Sequence, residues 1–520
     1  MKPTLEQQQA LAAFKTGASL KIIAGAGTGK TTTLTLLSDH AAARRGVYLA
    51  FNKAMAEDAR GRMPANVAVS TAHSLAFRGT KGAFARKIGT RMSARQAAQV
   101  AGLPSLMSLD ADGPPITLTS TSIGYFLLDW IRAFCNSDSA EIGTDNMSFA
   151  RPLVWLGVSA EEATAHDFRA ARKMVTSLVP HVKRLWTAMA DPKNDTPATH
   201  DVYLKKWVMS GPDLGAEFIL FDEAQDANPL MLQLVSAQSA QRVFVGDPNQ
   251  QIYAWRGATN AMQSVRTEHE TTLSESFRFG SRIAEFANLV LANHCRSSLR
   301  LIGRGKSELE RQEPRAVICR TNAGVISAIS ELPAGDVYVA GGTEQAVSLL
   351  RGMQELRTRG KTNNLELGHF SGWDEFVEHV RESKDELATL LRLSHGGENI
   401  EPLIGLLSST QPTPARARVV VSTGHKCKGL EWGRVALSGD FVTPGPDGDV
   451  AAAVSGERAN LLYVAGTRAK HTLLLDPEFE AALGCSTVYQ AEEVEACAAP
   501  RQKPVRASKM QTGARQAIAR

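Results

Sequence analysis

Residues 24–32 read AGAGTGKTT, and this stretch decides the fold. It follows an apolar run of β-type composition, residues 19–24, and opens a helical pattern that continues from Lys30 to about Ala43. A strand that turns through closely spaced glycines into a helix can wrap its backbone amides around phosphate oxygens at the positive end of that helix. Gly25, Gly27 and Gly29 permit the curl, and Ala26, Thr28 and Thr32 complete the loop. Lys30 stands where it reaches β- and γ-phosphates, and Thr31 where it ligates Mg²⁺. Ala24 occupies the place of the first glycine in the usual pattern. A glycine-rich turn that binds nothing is the plain alternative, and the strand and helix on either side argue against it.

The partner segment is residues 217–226, EFILFDEAQD, an apolar strand ending in two acids. A buried strand that delivers adjacent carboxylates gives Asp222 to a metal shell and Glu223 to the water that attacks the γ-phosphate. A lone acidic pair after a strand is often a solvated strand end, but beside a phosphate loop it reads as NTP hydrolysis.

Outward from these motifs, apolar runs at residues 47–51 and 67–70 continue a strand and helix alternation of parallel α/β type. From about Gly79 to Lys206 the pattern becomes amphipathic helices joined by polar connectors such as LDADGPP, residues 109–115. Strand-like runs return at residues 217–221, 242–245, 316–319, 337–340, 418–422, 435–437 and 472–475, so two α/β units are expected. The second is interrupted by a short helical segment at about residues 357–416.

The chain has 520 residues, 43% of them hydrophobic, which excludes a mostly disordered or fibrous chain and leaves room for three or four domains or subdomains. Its formal charge of +5 permits a polyanionic partner without requiring one. No window approaches the ~18 uninterrupted apolar residues of a membrane span. The N-terminus lacks the pattern of a secretory signal. Six cysteines lie far apart with no CxxC pair, so neither a disulfide framework nor a zinc module is expected, and the expected compartment is a reducing cytoplasm. The segment 499–520 carries six basic side chains and no acidic one, the composition of a solvated tail.

Further segments carry a resemblance. VGDPNQQIYAWRGA (245–258), LSESFRF (273–279), STGHKCKGLEW (422–432) and NLLYVAGTRAK (460–470) resemble motifs of superfamily 1 helicases of the UvrD/Rep/PcrA type. AFNKAMAEDAR (50–60), STAHSLAFR (70–78), HDVYLKKW (200–207) and HKCKGLEW are most similar to F-box DNA helicases and their bacterial or phage relatives. The likeness runs from about Pro3 to Leu475. No F-box-like segment precedes Met1, so the motor alone is expected to be shared.

The resemblance implies an α/β fold of two RecA-like P-loop NTPase domains, with parallel sheets flanked by helices and a helical insertion in each. The first domain would comprise 1–78 plus 207–272 with insertion 79–206, and the second 273–356 plus 417–485 with a reduced insertion 357–416. Residues 486–520 would form the basic tail, a candidate contact for a protein partner. With so short a second insertion, autoinhibition by its rotation is expected to be absent.

The implied ligands are ATP and Mg²⁺. Gln7 would read the adenine edge, with Gln8 or Gln9 as alternatives within the QQQ run, and Phe277 would stack on the ring. Gln250 would sense the γ-phosphate, Arg278 and Arg468 would stabilise its developing charge, and Glu431 would lie near the nucleotide. Trp255 and Tyr253 are candidates to stack on bases, and Arg256 to meet a phosphate. Phe51, Asn52, His73 and His425 would line the strand path. Gly466 stands where relatives carry Val or Ile, which is expected to loosen the helix presenting Arg468. HDVYLKKW reads as a packed helix.

The implied activity is a DNA-dependent ATPase that moves 3′→5′ on single strands and unwinds duplexes in repair, recombination or replication. It would act on single-stranded DNA and single/double-strand junctions in the cytoplasm, at the nucleoid if bacterial. Three rivals remain at this point: a translocase that strips recombinase or other proteins from DNA, the motor subunit of a repair or defence complex, and a nucleotide-gated binding module without turnover.

Overall fold

A computed structural model describes residues 2–490, apart from 91, 161, 255–256, 306–314, 334, 365, 369, 371, 383–385, 443–453, 477 and 486–487. Trp255, Arg256 and the tail from residue 491 therefore lie outside the described residues.

Short apolar runs bounded by polar turns form the strands of the first sheet. These are β1 (Leu20–Ala24), β2 (Gly46–Ala50) and β3 (Val67–Thr71). After an excursion that contains β4 (Leu106–Leu109) and β5 (Ile116–Thr119), the chain returns with β6 (Phe218–Phe221), β7 (Gln241–Gly246) and β8 (His269–Leu273). The order is β3-β2-β6-β7-β1-β8, and each neighbouring pair is parallel. All four residues of β6, FILF, are buried, as a strand covered by helices on both faces requires. Since β6, β7 and β1 are neighbours, the glycine loop, the acidic pair and residues 247–250 leave the same end of the sheet. In open α/β sheets that end is where ligands bind.

The second sheet repeats the plan. A short pair, β9 (Glu275–Ser276) and β10 (Ile302–Gly303), precedes β11 (Arg315–Cys319), β12 (Val337–Val339), β13 (Val419–Thr423), β14 (Trp432–Leu437), β15 (Ala469–Leu475) and β16 (Val488–Gln490). The order is β12-β13-β11-β14-β15-β16, parallel except for β15 against β16.

The excursion between β3 and β6 is mainly helical, with its longest helix at Ala165–Ala190. One correction concerns LDADGPP, read above as a connector between helices. It joins β4 to β5, an antiparallel hairpin in register from Leu106↔Thr119 to Leu109↔Ile116. Strands of four residues with one face in solvent carry too little periodicity to stand out from a loop. Between β12 and β13, helices Glu344–Arg359, Trp373–Glu382, Glu386–Leu393 and Ile400–Ser408 bury Leu350, Met353, Phe376 and Leu403 against Val339 and Val421 of the sheet.

The two units share a buried seam, because Ala26 and Ile252 pack into the apolar cluster of the second unit beside Phe279, Phe286 and Tyr463. The loosening expected at Gly466 is not what the packing gives. Helix Glu457–Gly466 ends at this buried residue, and a Cβ there would collide with the ring of Phe286 on helix Ser281–Asn293. The glycine is a close approach between two helices. Gly466→Val is accordingly expected to lower the unfolding free energy by roughly 1–3 kcal/mol through overpacking; a thermal melt no lower than that of the parent chain would refute this.

Candidate nucleotide site and strand path

The glycine loop owes its shape to backbone sterics. Gly27 (φ 73°) and Gly29 (φ 79°) adopt left-handed conformations that other residues rarely take. Gly29 is the N-cap of helix Lys30–His40 and offers no side chain to that helix's first amides, which leaves an anion site at the helix start. Thr28 folds onto the loop through its hydroxyl, which donates to Gly25 O at 2.9 Å. Thr31 is half-buried and Thr32 exposed on the first turn that follows. Residues of the second unit cover the loop: Phe277 N–H donates to Gly27 O at 2.9 Å, and a Cβ on Gly27 would strike Ser276 and Arg278.

Gln8 and Gln9 are exposed, whereas Gln7 is buried, with Nε2 3.2 Å from Thr33 Oγ1 and its side chain beside Gly29. Its Oε1 accepts from Thr4 N–H in a capping box, so the side chain is oriented by its own helix start. Phe277 is 44% exposed, which leaves its ring face open beside the loop.

The acidic pair sits at the end of β6. Asp222 accepts from the Glu223 N–H at 2.9 Å and from the Tyr48 hydroxyl. Burial raises its pKa, and the neighbouring Glu223 charge adds to that. A carboxylate is the hard oxygen donor a divalent cation takes, and the half-buried Thr31 supplies a hydroxyl oxygen on the neighbouring loop. Glu223 has φ 51°, a left-handed value that costs a non-glycine residue of order 1–3 kcal/mol. Burial opposes its charge, yet Lys30 and Lys428, each 3.6 Å away, hold its pKa below the ordinary carboxylate range. Glu223 is thus kept ionised, the state a general base needs.

Lys428 was not singled out from the sequence, although it lies in HKCKGLEW. It comes from the second unit, pairs with Asp226 as well as Glu223, and donates to Gln250 O at 3.0 Å. Gln250 in turn donates from Nε2 to Asp247 Oδ2 at 2.8 Å. Arg278 and Arg468 meet at Thr467: Arg278 Nη1 donates to its carbonyl at 3.1 Å, and Arg468 Nη2 to its hydroxyl at 3.3 Å. Arg278 is also held by Glu431 at 2.8 Å. Arg468 is fully enclosed, and burial, with the Arg278 charge second, lowers its pKa to about 10. An arginine desolvated beside a second one is strongly drawn to any anion that enters.

Three of the strand-path residues come together. Phe51 and Tyr253 stack with ring centroids 5.5 Å apart and planes 17° from parallel, and the His425 ring lies 6.3 Å from Tyr253. Lys428 Nζ stands 5.4 Å from the Tyr253 ring centroid, so one cation faces both the carboxylates and this aromatic. Asn52 has a local duty, its Oδ1 capping helix Lys53–Arg60 by accepting from Met55 N–H at 2.9 Å. His73 belongs to a separate group, 3.0 Å from Asp201 and edge-on to Tyr203. Burial opposes the Asp201 charge, but His73 holds its pKa down. Asp201 and Tyr203 lie in HDVYLKKW, which forms helix His200–Met209. The buried Lys205 of that helix donates to Ser137 O and Ser139 O, each at 2.7 Å, and so ties the insertion's helices together.

An AAA domain family matches residues 7–256 and a UvrD-like helicase C-terminal domain family matches residues 418–475. The chain is 30% identical over 513 residues to F-box DNA helicase protein 1 of Schizosaccharomyces pombe, covering 88% of this chain and 56% of that protein. It is 29% identical over 524 residues to F-box DNA helicase 1 of Gallus gallus, covering 92% and 49%. To the ATP-dependent DNA helicase PcrA of Leuconostoc citreum it is 25% identical over 322 residues, covering 56% and 39%. The chain spans about half the length of the F-box DNA helicases it matches. Among the described residues no helix is long and apolar enough to cross a membrane.

The charge cluster carries a pH signature. Burial pushes Asp226 up from its ordinary 3.8 to about 7 despite Lys428. Its folded-state proton affinity favours folding most below about pH 4, and that margin is lost as pH rises through about 7. Asp226→Asn is expected to flatten the decline in unfolding free energy across this window in denaturant titrations; an unchanged slope rules the assignment out.

Proposed function

Proceeding from a chain that carries both an AAA domain and a UvrD-like helicase C-terminal domain, we propose that it is a DNA helicase motor. In this reading it hydrolyses ATP, moves 3′→5′ on single-stranded DNA and opens single/double-strand junctions. The observation that supports it most directly is Glu223, an ionised carboxylate set between Lys30 of the first unit and Lys428 of the second. We read residues 1–78 with 207–272, and 273–356 with 417–485, as the two halves of the motor.

The roles follow from chemistry at each atom. The loop amides and Lys30 take the phosphates, Gln7 meets the adenine edge and Phe277 stacks on its ring. Glu223 accepts the proton of the attacking water, and Gln250 senses the γ-phosphate. Arg278 and Arg468 meet the charge that builds on the transferred group, Arg278 exchanging its hold on Glu431 for phosphate oxygens. Thr31 and Asp222 would hold a divalent cation, Mg²⁺ in our reading, which neutralises phosphate charge when bound. Closure of the seam between the units on ATP, and its release after hydrolysis, would alternate the grip on the strand. Phe51, Tyr253 and His425 supply aromatic faces for bases of any sequence, the chemistry of non-specific single-strand binding. Trp255 and Arg256, outside the described residues, are proposed as further contacts to base and phosphate, and residues 491–520 are where a protein partner would be sought; residues 488–490, expected in that tail, instead pair with β15 as strand β16. We place the activity in the cytoplasm, at the nucleoid of a bacterial host.

Glu223→Gln is expected to cut ATP turnover at least ~100-fold while nucleotide still binds, the usual scale for losing a general base. Strand displacement should occur on duplexes with a 3′ single-stranded tail and not on those with a 5′ tail, and should vanish in Lys30→Ala. Turnover without displacement on either duplex would remove the unwinding assignment. Tyr253→Ala is expected to weaken single-strand affinity by about 1–3 kcal/mol in a fluorescence anisotropy titration.

A further inference from the structure

Beyond the residues given roles above, one side chain bonds at once to the phosphate loop and to the segment that carries Gln250. Tyr463 lies in helix Glu457–Gly466 of the second unit and is fully buried. Its hydroxyl accepts from the Ala26 N–H at 3.1 Å and donates to Asp247 Oδ2 at 2.9 Å. That same oxygen accepts from Gln250 Nε2 at 2.8 Å. On the preceding turn of the helix, Asn460 Nδ2 donates to Gln251 O at 2.9 Å, two residues before Tyr253. Thus one helix of the second unit holds the phosphate loop, the carboxylate that also takes the Gln250 amide, and the carbonyl of Gln251.

The bonding leaves little slack. A phenol has one proton to donate, and here it goes to a buried carboxylate while a lone pair takes a loop amide. The ring packs in the apolar cluster beside Phe279 and Phe286, a contact that does not itself use the hydroxyl. We propose that Tyr463 is a positioning residue, whose hydroxyl makes the phosphate loop and residues 247–253 move as one, so that a strand bound at Tyr253 raises ATP turnover. The inference rests on the motor reading above. It assigns the coupling to a defined pair of hydrogen bonds.

The test is the ratio of ATPase kcat at saturating single-stranded DNA to kcat without DNA, measured for the full chain, Tyr463→Phe and Asn460→Ala. Tyr463→Phe is expected to reduce this ratio about tenfold, the scale of one lost hydrogen bond to a charged acceptor, and Asn460→Ala to reduce it in the same direction. A residue that only stabilises the fold would lower the melting temperature and both rates together, leaving the ratio unchanged. Wild-type ratios in both variants overturn the coupling role alone. Should Tyr463→Phe not fold, Asn460→Ala decides by the same criterion. A parent chain whose turnover DNA does not raise overturns the motor reading, and this inference with it.

Discussion

Four carboxylates, Asp222, Glu223, Asp226 and Asp247, are taken out of water at the ends of adjacent strands, and this charge must be met from within the protein. The first unit supplies Lys30 and the second supplies Lys428. Removing one partner of such a buried pair commonly destabilises by about 3–5 kcal/mol, because the remaining charge has no water to fall back on. The closed seam between the units is therefore an electrostatic requirement of the acidic cluster as well as an apolar contact through Ala26 and Ile252. Anything that draws Lys30 toward phosphate shifts the load on Glu223 to Lys428, which also faces Tyr253. In the proposed motor, nucleotide and strand would then address one cation.

What the sequence makes legible is what local chain geometry dictates. The glycine spacing, the apolar strand before two acids and the alternation of strand and helix are short-range patterns, and they located β1, β6 and the loop. Motif likeness brought in Gln250, Arg278, Arg468 and Glu431, whose proximity depends on residues some two hundred positions apart. The mutual pairing of Arg278 with Glu431 is a contact no spacing announces. Strand β8, HETTL, escaped because it is polar at an edge, and the β4–β5 hairpin because its strands are short and half-solvated.

Residues inside quoted motifs also hid their duties. Lys428, Tyr463 and Lys205 act through distant carbonyls, amides and carboxylates, so their surroundings exist only after folding. Gly466 shows the reverse error: a local rule about glycine in helices suggested looseness, whereas the tertiary neighbour Phe286 leaves no room for a side chain. Propensity is a weak guide wherever two helices approach so closely.

The left-handed backbone at Glu223 sets local strain against electrostatic pairing in one residue. A glycine there would relieve about 1–3 kcal/mol of backbone strain but leave Lys30 and Lys428 without the carboxylate set between them, and the loss of that buried pairing is the larger cost. The two lysines therefore hold the backbone at Glu223 in a conformation it would otherwise leave, so the turn after β6 keeps its shape only while both units stay together.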